Sequence, residues 1–237
     1  YKNEDLILAN ATAPLQSAAA ATTDIPILGT SVTDYATALD ISGWSGTTGR
    51  NISGTSDLAP LSEQAAMLNE LFPDAKNVGL LYCSAEANSQ YQIDVIKEEL
   101  EKLNYTCTAY SFVDSNDIAS VVQSAVNDND VLYIPTDNTA ASNTEVINNI
   151  AGEAGVPIIA GEAGICKGCG VATLSISYYD LGYQTGKMAY EILVNGADPS
   201  TMEVEFAPAV TKQYNPDICE KLGITVPDDY EALDMSE

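Results

Sequence analysis

The sequence predicts an α/β protein of two Rossmann-like lobes, each built on a parallel sheet. Short apolar runs alternate with longer stretches of helical spacing along most of the chain, which is the pattern of βαβ units. The 237 residues are 46% hydrophobic, enough for real cores in one large domain or two small ones. A Gly- and Ser-rich stretch at 42–57, with Gly43, Gly46, Gly49 and Gly54 and no helical period, divides one set of alternations from the next. It is expected to be a surface loop followed by a crossover between lobes.

Taken in order, the first apolar run, 6–9, is a strand, and 15–21 is a helix with Thr12 as its cap and Pro14 in its first turn. The run 25–28 is the next strand, ending in Gly29-Thr30-Ser31-Val32-Thr33-Asp34. Beyond the Gly-rich stretch, Leu61, Ala65, Leu68, Leu71 and Phe72 recur at helical spacing, and Pro73-Asp74 closes that helix. A strand at 78–82 leads to a helix through Leu103 with Val95, Ile96 and Leu100 as its stripe, and a strand at 107–112 leads to a helix at 118–125. Strand 131–134 leads to a helix through Ala151, strand 156–160 to a Gly-rich turn, and 171–176 is a further strand, completing a second α/β lobe. Helix 180–194 carries Gly182 and Gly186 one turn apart, 204–209 is a last strand, and 216–237 is a short helix with a frayed acidic end. The lobes are therefore expected at 1–57 rejoined by 178–205, and at 58–177 with 206–237 returning.

Composition removes whole classes of function. Nine Lys and Arg against 34 Asp and Glu give a formal net charge of −25, a field that repels phosphate backbones and anionic lipid, so no nucleic-acid partner is expected. With no histidine, the chain lacks Ser-His-Asp and Cys-His nucleophile pairs, His-ligated zinc and a histidine pH switch. No run approaches the ~18 to 20 apolar residues of a membrane helix. No Walker-type or GxGxxG phosphate loop occurs, and no cofactor or metal is expected.

Ligands of open parallel sheets bind beyond the carboxyl ends of the strands. The loops there hold Asn10, Thr12 and Gln16; Thr30, Thr33 and Asp34; Ser84, Glu86, Asn88 and Ser89; Thr136, Asp137 and Asn138; and Glu162. Carboxylates at Asp34, Glu86, Asp137 and Glu162 suit an ammonium, and helix amino ends near Asn88 and Asn138 suit a carboxylate, so a zwitterion such as a free amino acid fits both. Ser, Asn and Asp are also ordinary helix caps, while Glu86 and Glu162 stand away from obvious capping positions and have solvent exposure as their plain alternative.

Five cysteines at uneven spacing do not form a disulfide framework. Cys166-Lys167-Gly168-Cys169 is a CxxC placed in a Gly-rich turn before a strand, whereas redox CxxC pairs open a helix. Cys83, at a strand end beside the expected cleft, admits a different reading: one thiol of a cofactor-independent amino-acid racemase, although Tyr82-Cys83-Ser84-Ala85 lacks the Cys-Asn-Thr of such enzymes.

The segments Ala11-Thr12-Ala13-Pro14-Leu15-Gln16, Val32-Thr33-Asp34, Gly54-Thr55-Ser56-Asp57, Ser84-Ala85-Glu86-Ala87-Asn88-Ser89, Pro135-Thr136-Asp137-Asn138-Thr139 and Ser177-Tyr178-Tyr179-Asp180 resemble the ABC transporter substrate-binding family related to the tryptophan-binding lipoprotein. The resemblance runs in order from Leu6 to about Leu222. It implies a type I periplasmic-binding-protein fold whose lobes close on a ligand, with the 56–57 region and the crossings near Tyr178 and Val204 as hinge. It also implies an extracytoplasmic, lipoprotein or periplasmic, non-enzymatic protein that delivers an aromatic amino acid (Trp, Tyr or Phe) to a membrane permease. A ligand-sensing lobe of a receptor shares that cleft. By position the contacts would come from Thr12, Gln16, Thr33, Asp34, Ser56, Asp57, Ser84, Glu86, Asn88, Ser89, Asp137, Asn138, Glu162 and Tyr178, with Asp137 on the ammonium and the 88–89 helix start on the carboxylate. Family members carry a further strand-helix-strand-helix segment before the position of Leu6. Its absence from this sequence implies a first lobe completed elsewhere, as a monomer when complete or by chain pairing.

Overall fold

The computed structural model describes residues 3–236. In chain order the elements are β1 (Ile7–Asn10), α1 (Thr12–Ala21), β2 (Ile27–Val32), α2 (Tyr35–Leu39), β3 (Ile52–Ser56), α3 (Leu61–Leu71), β4 (Asn77–Cys83), α4 (Ala87–Lys102) and β5 (Thr106–Phe112). There follow α5 (Ile118–Asp128), β6 (Val131–Ile134), α6 (Asn138–Ala141), α7 (Thr144–Ala154), β7 (Ile158–Ala160), α8 (Ala163–Cys169), β8 (Ala172–Ile176) and α9 (Tyr178–Leu193). The chain closes with β9 (Glu205–Phe206), β10 (Val210–Tyr214), α10 (Pro216–Leu222) and β11 (Glu231–Ala232). It divides into two compact units: the residues through Leu58 with Ser177–Ala209, and Ala59–Ile176 with the residues from Val210 onward.

The first unit holds a four-stranded sheet in the order β1-β2-β3-β9, parallel throughout. One core gathers Leu15, Ile27, Val32, Tyr35, Leu39 and Ile52, and a smaller one forms where Met188 and Ile192 of α9 meet Leu28. Strand β3 departs from the expected surface loop. The stretch 53–56 has no apolar side chain, yet all of β3 is buried. Its hydroxyls find internal partners: Ser53 Oγ donates to the Met202 carbonyl (3.1 Å), Ser56 Oγ to the Thr33 carbonyl (2.8 Å), and Thr55 Oγ1 lies 2.9 Å from Thr185 Oγ1. Gly54, at φ 149, is required, because a Cβ there would stand 2.0 Å from the Gly29 carbonyl oxygen. Helix α2, just before that stretch, was also unforeseen; it is capped by Asp34, which accepts from Thr37 N at 2.7 Å. Thr12 is not a cap: it is the first residue of α1, behind Ala11 at φ 81, and no side chain caps that helix.

The second unit holds a seven-stranded sheet in the order β11-β10-β8-β7-β6-β4-β5. It is parallel except where β10 runs antiparallel to β8. Strands β4 and β6 read as nearly continuous apolar runs because helices cover both faces. Leu81, Phe112, Val122, Leu132, Ile134 and Ile147 lead one core layer. Helix α3 has the expected bounds. The expected single helix through Ala151 is broken into α6 and α7, and the stripe of α4 is Ile93, Ile96 and Leu100 with Gln92, while Val95 lies at its margin. The expected last strand at 204–209 is only the short β9, and a further strand, β10, follows it; beyond α10 the tail pairs β11 with β10 instead of fraying there, and Glu237 lies outside the described residues.

Candidate functional site

Within the first unit the carboxyl ends of β2 and β3 bring Thr33, Asp34, Ser56 and Asp57 together. The Asp57 backbone amide donates to the Val32 carbonyl at 3.3 Å, and the Tyr178 hydroxyl donates to Asp57 Oδ2 at 3.2 Å. Thr33, Ser56 and Asp57 are buried, and the Asp34 side chain is used in capping α2. Thr12 and Gln16 stand on α1 after β1, where Gln16 Nε2 donates to the Ala38 carbonyl (3.1 Å) and ties α1 to α2.

In the second unit the turns after β4 and β6 meet. Asp137, 1% exposed, accepts from Ala140 N at 2.8 Å through Oδ1 and from Cys83 N at 2.7 Å through Oδ2. Its first oxygen caps α6 and its second holds the end of β4, so its carboxylate already has structural work. Glu86 occupies the cap position of α4 without capping it. Its carboxylate crosses to α6 and accepts from Asn138 N and Nδ2 and from Thr139 N and Oγ1, at 2.7 to 3.0 Å. Solvent exposure is therefore not its role. Asn88 and Ser89 are buried in the first turn of α4, and Asn88 Nδ2 donates to the Thr136 carbonyl at 3.1 Å. Ser84 is exposed and its hydroxyl donates to the Phe112 carbonyl.

Two of these carboxylates repel each other. Burial pushes the Asp137 carboxyl up and the Glu86 charge adds to the rise, with the amides of Ala140 and Cys83 and the Ser89 hydroxyl opposing it in part. Burial also raises Glu86, but the bonds from Thr139 and Asn138 outweigh it and hold that carboxyl below its ordinary value. Among the described residues neither carboxylate forms an ion pair with Lys or Arg.

Glu162 turns back on its own helix. It caps α8, accepting from Gly164 N at 2.7 Å and from Ile165 N, which corrects the expectation that it stood away from a capping position. Burial raises its carboxyl by more than those amides lower it. The turn it sits on is fixed against the 135–136 backbone, since a Cβ on Gly161 would lie 2.6 Å from Thr136 N. Gln64 Nε2 donates to the Gly161 carbonyl (3.2 Å) and its Oε1 accepts from the buried Tyr133 hydroxyl. Gln64 and Gln92 are the residues that sequence reasoning missed. Both are glutamines standing on the apolar stripe of an amphipathic helix, and that misfit was the available signal.

Two thiol expectations are corrected. The CxxC lies inside α8, not in a turn, with Cys166 at 0% and Cys169 at 3% exposure in the core, and burial pushes both thiols up. Cys83 points into the same core with Leu81 and Phe112, its Sγ 3.4 Å from the Val113 carbonyl, which removes the geometry a racemase thiol needs.

The family model described as ABC transporter substrate binding protein matches residues 1–234. A curated relative, the Tyrosine-binding protein of Clostridioides difficile (strain R20291), is 36% identical over 190 residues, 80% of this chain; the chain spans 55% of that relative's length. Among solved structures, an ABC domain in complex with L-Trp from Streptococcus pneumonia superposes with a TM-score of 0.91 at 30% identity, covering 98% of this chain and 81% of that one. A ligand-free, open substrate binding protein with adhesive properties from Clostridium difficile gives 0.75 at 35% identity, over 99% and 80% of the two chains.

Proposed function

The chain belongs to the ABC transporter substrate-binding protein family, and from that we propose that it captures a free aromatic amino acid outside the cytoplasm for delivery to a membrane permease, without catalysing a reaction. The observation that carries the amino-acid reading is the carboxylate pair Glu86 and Asp137, half-buried and buried at the joined turns after β4 and β6, with no ion pair to Lys or Arg among the described residues. An ammonium placed beside them relieves their repulsion. The amino end of α4, with Asn88 and Ser89, stands next to the pair and suits the ligand's carboxylate. In this reading Asp137 acts through its charge while its oxygens keep their structural bonds. Thr12, Gln16, Thr33, Asp34, Ser56, Asp57 and Tyr178, at the strand ends of the first unit, are proposed for the remainder of the ligand, and Ser84, Asn138 and Glu162 for the rim of the second. The L-Trp complex and the Tyrosine-binding protein among its relatives support the aromatic preference.

Thermal melts with each of the twenty amino acids test this reading. A ligand at 100 times its Kd adds ~2.7 kcal/mol, a rise of several degrees for a chain of this size. The expected result is a shift confined to Trp, Tyr and Phe that disappears with the corresponding amine or acid lacking one head group. No shift from any amino acid refutes the proposal.

A further inference from the structure

We infer that Gln92 is a positioning residue for ligand capture: its buried side-chain amide locks the 135–138 turn to the amino end of α4 before ligand arrives. The inference rests on the amino-acid reading above for its functional consequence, and on hydrogen bonding alone for the lock itself.

Gln92 lies on the buried stripe of α4 beside Ile93 and Ile96 and is 1% exposed. A Leu or Met at that position would fill the space without a polar group to satisfy, so a Gln is costly unless its amide is fully bonded. It is. Thr136 N donates to Gln92 Oε1 at 3.0 Å, and Gln92 Nε2 donates to the Thr136 carbonyl and to the Asn88 carbonyl, each at 3.1 Å. The side chain therefore pairs with both backbone groups of Thr136, as a neighbouring strand would. Thr136 needs such a partner because β6 has ended at Ile134 and α6 starts only at Asn138.

The location gives this bond pair its importance. Thr136 immediately precedes Asp137, and Asn88 lies in the first turn of α4, so Gln92, with the Asn88 amide on the same Thr136 carbonyl, fixes the spacing between Asp137 and the helix end that Glu86 begins. A zwitterion's two heads are a fixed distance apart, and a site held at that distance in advance binds without an ordering cost. Glu86 bonds the outer side of the same joint through Asn138 and Thr139. Gln92, itself buried, bonds the inner side.

The test uses the full chain, with L-tryptophan and L-tyrosine as probes in calorimetry and amide hydrogen exchange on ligand-free protein. Gln92→Met keeps length and apolar fit and removes the bonds. Exchange at Thr136 is expected to accelerate at least about ten-fold and Kd to rise at least about ten-fold. A purely structural role would lower Tm and leave Kd alone. Gln92→Glu supplies a second arm, because a protonated Glu can again donate to a carbonyl while accepting from Thr136 N. The ratio of its Kd to that of wild type is expected to fall toward one as pH is lowered, and this arm decides the matter if Gln92→Met does not fold. Unchanged Thr136 exchange, a Kd within two-fold of wild type in Gln92→Met, or a pH-independent ratio in Gln92→Glu overturns the inference. If wild type binds neither probe, the functional reading fails by itself, and Thr136 exchange still decides whether the lock exists.

Discussion

Strands β3 and β4 are both inner strands of their sheets and both are buried over nearly all their length, yet they share almost no chemistry. β4 fills its two faces with Val78, Leu80 and Leu81, each at 0% exposure. Beyond Ile52, β3 offers only Ser53, Gly54, Thr55 and Ser56, and these close on neighbouring backbone and hydroxyls. A parallel strand can thus be held by apolar volume or by close approach with every polar group bonded. The first way tolerates a change of shape poorly in proportion to volume lost, and the second does not tolerate an added atom where backbones touch.

The largest effect that separates the two is expected from Gly54→Ala. Its φ of 149 lies where L side chains rarely go, and the new Cβ meets backbone atoms, Gly29 O at 2.0 Å and Gly29 N at 2.7 Å, which cannot step aside as a side-chain end would. A loss of about 4 kcal/mol follows, summed from backbone strain and overpacking. Trp44 is the sole tryptophan and lies in the first unit, so urea unfolding followed by its fluorescence reads this loss directly. Leu80→Ala in β4 is expected to remove about 3 kcal/mol, a cavity cost seen by far-UV circular dichroism and by exchange in the second unit. If Gly54→Ala proves milder than Leu80→Ala, the distinction between the two strands is wrong.

The same distinction explains what was legible in the sequence. Strands β4 and β6 and helix α3 announce themselves through apolar runs and helical spacing, because volume is what holds them. Ser53-Gly54-Thr55-Ser56 has the composition of a loop, and only a partner elsewhere in the chain, such as Thr185 or Met202, makes it a strand. The positions of Asp34 and Asp137 were legible for a similar reason: each stands just past the end of a recognisable strand. Hydrogen-bond assignments were not, since Glu86 bonds Asn138 and Thr139 half a lobe away in sequence and Glu162 bonds amides of a helix that looked like a turn. Helix α8 was missed because Gly164, Gly168 and a CxxC imitate a loop, and what stabilises it is its cap and the burial of Ile165, Cys166 and Cys169.

A smaller effect sharpens the comparison from the polar side. Thr55→Val keeps the volume of β3 and removes its hydroxyl from Thr30 (3.2 Å) and Thr185 (2.9 Å). Thr185 Oγ1 keeps its bond to the Leu181 carbonyl at 2.8 Å, and Thr30, which loses its bond from Thr55, is only half-buried, so a loss of only about 1 kcal/mol in the Trp44 transition is expected. A loss as large as that of Gly54→Ala would show that the hydroxyls, not the close approach, hold the strand.

The smallest effect concerns the joint in the second unit and is visible only in its pH dependence. The folded state holds the Glu86 carboxyl below its ordinary value of 4.5, so its contribution is complete above that pH and is lost as pH falls through the lowered folded value. Asp137, facing it, is raised in the folded state and contributes with the opposite sign: protonating it favours folding, a gain lost as pH rises through its folded value. Replacing Glu86 by Gln removes the first group and also relieves Asp137 of the neighbouring charge. The variant is expected to lose less than about 1 kcal/mol at neutral pH, because the carboxylate is partly solvated. Burial, the larger cause of the Asp137 rise, persists in the variant, so the Glu86 contribution decides the sign: on acidification below pH 4.5 the variant is expected to lose less stability than wild type, and the two urea midpoints converge. Midpoints that stay parallel across that range would mean that Asn138 and Thr139 are held to α4 by packing and not by the Glu86 charge.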